Sequence, residues 1–247
     1  MGKLRFTFLF IFSVCLAFHQ ITIAQKDSSS KINITSDFVS RYIWRGLDYG
    51  KAPSIQPTFS YIKGDFEIGS WGAFNTTGCY HEVDIYVKYT IKGISAIFTD
   101  YFAHNEAQTN DTHYFNYSAN ITNHAFESAL QYKGADKFPI RLLAAAYFYG
   151  NDRAWGYDAK KDSTLENYYS SYFEIGYAVK YKEKTFDLFI GLTPQAGAYG
   201  NTPGVVNAGI TAYRTIAITD KFELPVKASL IANPQAGNLY FVLGITL

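Results

Sequence analysis

Alternation with a period of two runs through almost the whole chain. Over residues 238–247 it is unbroken: Leu239, Phe241, Leu243, Ile245 and Leu247 share one parity, and Asn238, Tyr240, Val242, Gly244 and Thr246 share the other. A two-residue period turns successive side chains to opposite faces, so each such segment reads as a β-strand with two unlike faces. About twelve segments carry the pattern, each near the ~10 residues of a strand that crosses a membrane. They fall at 32–46, 54–62, 66–74, 82–91, 94–103, 122–133, 138–149, 168–181, 185–193, 205–218, 222–233 and 238–247.

The links between segments alternate in length. Residues 63–65, 92–93, 134–137, 182–184 and 219–221 are short and turn-like, whereas 47–53, 75–81, 104–121, 150–167, 194–204 and 234–237 form the other set. Short turns on one side and longer loops on the other are the pattern of bacterial outer-membrane barrels. The charges obey the same parity. In 82–91, Glu82, Asp84 and Lys88 oppose Val83, Ile85, Val87 and Tyr89; in 168–181, Glu174 and Lys180 fall with Tyr172 and Gly176, opposite Phe173, Ile175, Tyr177 and Val179. A Lys or Arg facing lipid at mid-bilayer costs about 2–4 kcal/mol, which explains a face cleared of charge. Asp100 breaks the rule by sharing parity with Phe98, and a bulge or strand end is expected there.

The fold expected is therefore all-β: a transmembrane antiparallel up-and-down β-barrel of about 12 strands over residues 32–247. It closes by pairing its last strand with its first. The N-terminus reads as a secretory signal, with Lys3 and Arg5 ahead of an apolar run and small residues near Ala24. Residues 1–24 are expected to be removed, leaving a short periplasmic segment over 25–31. The expected location is the outer membrane, with both termini periplasmic. Partners on this reading are outer-membrane lipid, periplasmic chaperones and the barrel-assembly machinery during biogenesis, and a small polar solute. A net charge of +1 carries no nucleic-acid footprint. Cys79 is the one cysteine outside the signal, and no cofactor is expected.

The inward face carries both signs of charge. Asp37, Arg41 and Arg45 share a parity on the first segment; Glu82, Asp84, Lys88, Glu174 and Lys180 complete the candidate lumen-lining set. Glu127, Lys133, Arg141, Asp187, Glu223 and Lys227 lie on inward parities as well. These groups either line a narrow channel or binding barrel for small polar solutes, or pair with one another and fill the bore of a structural or adhesive barrel acting through its loops. Arg41 and Arg45, four residues apart, either bind anions at a constriction or pair with Glu82, Asp84 or Glu174.

The stretch Ser36-Asp37-Phe38-Val39-Ser40-Arg41-Tyr42-Ile43-Trp44-Arg45-Gly46, followed by Pro53-Ser54-Ile55-Gln56-Pro57, resembles the opening of a bacterial family labelled "Gcw-chp". Segments near Trp71-Gly72 and Glu82-Val83-Asp84-Ile85-Tyr86 resemble its continuation. The resemblance implies an exported outer-membrane barrel and carries no catalytic residues with it.

An outer-membrane lipid hydrolase is the remaining class. It would need a nucleophile beside a base, and no G-x-S-x-G context occurs. His104 and His113 share a loop with Glu106 and Asp111, in a spacing that matches no known metal site. The loop 150–167, with Trp155, Tyr157, Lys160 and Lys161, could cover the mouth of the barrel or meet a partner.

Overall fold

Alternating faces cannot be satisfied by one strand alone, and the chain satisfies them by closing a sheet on itself. The computed structural model describes residues 29–105, 113–118, 121–135, 137–152 and 167–247. The signal segment, Glu106, Asp111 and the loop residues Trp155, Tyr157, Lys160 and Lys161 lie outside these. Twelve antiparallel strands form the wall: β1 (Ser30–Val39), β4 (Ser54–Lys63), β5 (Phe66–Asn75), β6 (His81–Ile91), β7 (Ile94–His104), β8 (His124–Tyr132), β9 (Ile140–Gly150), β10 (Ser171–Tyr181), β11 (Lys184–Thr193), β12 (Gly204–Thr219), β13 (Phe222–Asn233) and β14 (Asn238–Thr246). Two short strands, β2 (Tyr42–Trp44) and β3 (Leu47–Tyr49), make a separate sheet.

The barrel is inverted relative to a soluble one. Ile34, Phe59, Phe98, Ile175, Leu188, Leu230 and Phe241 are exposed on the outer face. Gln56, Ser60, Glu127, Asp187, Asn207, Thr211 and Ser229 are buried on the inner face. Apolar side chains outside and polar ones inside are the architecture of transmembrane barrels. Pairing alternates without error along most strands. A register shift between Phe126 and Glu127 resets the parity of β9, so that Tyr147 points inward while Phe148 and Tyr149 stay exposed.

Closure is antiparallel, as the sequence predicts. Asp37 faces Thr246, Phe38 faces Ile245 and Val39 faces Gly244. Backbone bonds extend the seam from Ser36 N–H to Leu247 O (2.8 Å) and from Ser40 N–H to Leu243 O (2.8 Å). This seam is shorter than the ten-pair ladder between β1 and β4. Side chains reinforce it: Lys227 Nζ lies 2.5 Å from Asp37 Oδ2, and the Thr246 hydroxyl donates to Asp37 Oδ1 at 2.6 Å.

Two expectations need correction. The first segment does not run as one strand from 32 to 46. β1 ends at Val39, the chain bends at Ser40 and Arg41, and residues 42–49 form the β2–β3 hairpin. Neither Arg41 nor Arg45 therefore lies on the wall. Asp100 marks neither a bulge nor a strand end, since β6, β7 and β8 stay in register through it. It keeps its outward parity because His124 Nδ1, buried beside it, lies 2.7 Å away, and the His124 Nε2–H donates to the Tyr114 carbonyl. Tyr117 stacks on the same imidazole, which holds segment 113–118 against the barrel.

Candidate functional site

The β2–β3 hairpin starts from turn chemistry. Trp44 pairs with Leu47, leaving Arg45 and Gly46 as a two-residue loop with φ of 50° and 80°. Positive φ at both central residues is the type I′ pattern that matches strand twist. Gly46 is required for a second reason: a Cβ there would lie 1.9 Å from the Val206 carbonyl oxygen of β12. The turn therefore presses backbone against β12, and Asn233 Nδ2 of the adjacent β13 donates to the Gly46 carbonyl at 3.2 Å.

The hairpin touches the wall on many sides. Tyr42 packs on Trp71 of β5 (5.3 Å between ring centroids), and Trp44 meets Tyr101 of β7 (5.5 Å) and Tyr199 (5.8 Å) in the link after β11. Tyr147, Tyr172, Tyr199 and Val206 are buried with Trp44 and Leu47 against them. An aromatic cluster thus sits where an open pore would hold water.

Arg45 is the lock of this arrangement. Its guanidinium grips Glu127 of β8 with both Nη atoms, the Nη2–Oε1 contact being 2.9 Å, and Nη1 also donates to the Tyr199 hydroxyl. Its Cζ stands 4.3 Å from the Trp44 ring centroid and 4.8 Å from that of Tyr172. Glu127 accepts two further bonds, from Tyr101 Oη (3.0 Å) and Tyr199 Oη (2.8 Å). Both charges are deeply buried, so the bidentate geometry and the tyrosine hydroxyls must offset their desolvation.

Of the other candidates, Arg41 is paired on the hairpin, and Lys88, Asp37 and Glu174 are paired along the wall. Arg41 bonds Asp48 across the hairpin at 2.6 Å, Lys88 meets Glu67 at 2.5 Å, and Asp37 binds Lys227 at the seam. Glu174 contacts Arg141 at 3.5 Å and Asn207 Nδ2 at 3.1 Å, and Arg141 also holds Asp187 at 2.7 Å. Glu82 and Asp84 are buried on the inner face of β6, with the Tyr80 hydroxyl donating to Glu82 at 2.9 Å. Lys180 keeps inward parity but is exposed near the short-turn end of β10. Arg41 and Arg45 are ion-paired, but with Asp48 and Glu127 rather than with Glu82, Asp84 or Glu174. The reason is the hairpin, which carries both arginines off β1.

Above the hairpin, on the long-loop side, lies a cavity of about 660 Å³. Trp44, Leu47, Asp48 and Tyr49 form its hairpin side, and Tyr80, Tyr101, Tyr147 and Tyr199 contribute from the wall and loops. Sequence parity turned Tyr172 inward but did not single out Trp44 or Tyr199. Gly46 is the one local turn residue, and Arg45 before it is not a residue that type I′ loops favour.

No family model and no curated protein matches the chain. Five chains among solved structures do. One, described as "KdgM porin", aligns with a TM-score of 0.45 at 9% identity, over 88% of this chain and 98% of its own. Another, described as "Unveiling the Mechanism Behind the in-meso Crystallization of Membrane Proteins", aligns with a TM-score of 0.43 at 8% identity, over 87% of this chain and 82% of its own. The class of the protein rests on its own geometry: a closed twelve-stranded barrel of transmembrane type with a hairpin folded into its bore.

Proposed function

We propose that this protein is an outer-membrane barrel that holds a small polar solute at its extracellular mouth, its bore stopped at rest by the hairpin over residues 40–52. The observation that carries the reading is the Arg45–Glu127 pair. A buried bidentate ion pair, ringed by tyrosine hydroxyls, fixes a loop tip against the wall opposite its point of entry. The short-turn side, where β1 begins, is the periplasmic side on this reading, and the long loops face outward. Residues 36–46, which carry the resemblance to the Gcw-chp family, span the seam and the plug together. Solute passage then requires the hairpin to move, and the wall pairs Lys88–Glu67, Arg141–Asp187 and Lys227–Asp37 line the route beneath it.

The aromatic cluster around Tyr147, Tyr172 and Tyr199 supports a second reading, a permanently filled barrel that acts through its loops. Planar-bilayer recording of the purified protein tests the first. Brief, infrequent openings over a closed baseline are expected; steady ohmic conductance in the intact protein sinks the plug.

A further inference from the structure

The mouth cavity has a specific chemical character. Its volume of about 660 Å³ lies within the ~300–1,000 Å³ usual for small-molecule sites. Its floor is aromatic: the rings of Trp44 and Tyr49 are 6.1 Å apart, and Tyr80 follows 5.2 Å from Tyr49. Carboxamides stand around it, among them Asn105, Asn123 and Asn201. Among the described lining residues there is no Lys or Arg, while Asp48 and Glu82 are acids.

Building on the plugged-barrel reading, we propose that this cavity binds a neutral oligosaccharide. A pyranose ring offers an apolar C–H face and a rim of hydroxyls. The face lies against Trp44, Tyr49 and Tyr80, where large rings remove apolar area from water with few rotors to freeze. Each hydroxyl both donates and accepts, and a carboxamide supplies one group of each kind. A uronate or a phosphorylated sugar fits poorly. The two arginines of the hairpin are already held, Arg45 by Glu127 and Arg41 by Asp48, so among the described lining residues an anionic ligand would meet no Lys or Arg to answer its charge. The hairpin that stops the bore is thereby also the platform on which the sugar rests.

Isothermal titration calorimetry of the folded full barrel tests this, in a detergent without a sugar headgroup. Cellobiose and maltotriose are titrated beside trigalacturonate and uridine. Binding of at least one neutral saccharide is expected, with the uronate weaker by about tenfold or more at low salt. Tyr49→Ala and Tyr80→Ala should each weaken binding by about tenfold, with gel mobility reporting that the barrel still folds. No heat with either neutral saccharide overturns the proposal. So does tighter binding of trigalacturonate or uridine, or affinity unchanged in both variants. Conductance reads the plug independently: a barrel that conducts steadily yet binds cellobiose overturns the plug alone, and a closed barrel that binds no saccharide overturns this site alone.

Discussion

Replacing Arg45 by Met tests the lock, because Met keeps much of the side-chain bulk and removes the charge. Glu127 is then left buried with two tyrosine hydroxyls and no cation. Removing one partner of a buried ion pair costs about 3–5 kcal/mol. The lost stacking on Trp44 and Tyr172 adds about 0.5–2 kcal/mol. The barrel wall has its own ladder of pairs, so the cost falls on seating the hairpin rather than on closing the sheet. About 4 kcal/mol corresponds to roughly a thousandfold shift between seated and released hairpin, since 1.4 kcal/mol is a factor of ten. Tryptic cleavage after Arg41 and Lys51, followed by mass spectrometry, reads that release directly. Arg45→Met should be cut quickly where the intact protein resists. The double variant Arg45→Met with Glu127→Met removes both charges, and should recover all but about 1–2 kcal/mol of the loss. Resistance to trypsin in the single variant, or a double variant as labile as the single, would show that the Arg45–Glu127 pair does not hold the hairpin.

Other substitutions separate hairpin, seam and exterior. Gly46→Ala should prevent seating altogether, because a Cβ would meet the Val206 carbonyl oxygen at 1.9 Å. Gly237→Ala, at φ +67° with nothing within 4 Å of the added carbon, should cost only about 1–2 kcal/mol in unfolding by urea. Asp37→Ala unpairs Lys227 and Thr246 at the half-exposed seam and should lower the gel heat-modifiability midpoint, at about 1–2 kcal/mol, without releasing the hairpin. His124→Ala removes the anchor of segment 113–118, so hydrogen exchange should rise there while β7 and β8 stay protected.

The wall was legible in the sequence because lipid makes parity costly to violate. Segments such as 82–91 and 222–233 could keep charge only on one face, so their inward residues followed from spacing alone. The hairpin was not legible for the same reason. Tyr42 and Trp44 alternate in a free-standing strand as they would in the wall, and a period of two does not say which sheet a strand joins. The turn hid as well. Type I′ loops favour Asn or Asp before Gly, and Arg45 gives no such cue despite its positive φ. Tyr199 sits in a link without periodicity, so nothing pointed it at Glu127 before the chain was folded. Asp100 was visible as an exception to parity; its partner His124 needed the pairing of β7 with β8 to be known.

On this reading the hairpin, not the wall, closes the bore. Deleting residues 41–50 and joining the ends with a short Gly-Ser link leaves β1 and β4 intact. Single-channel recording in planar bilayers should then show steady ohmic conductance, several times that of the intact protein's brief openings. A folded deletion variant that stays as closed as the intact barrel would contradict it.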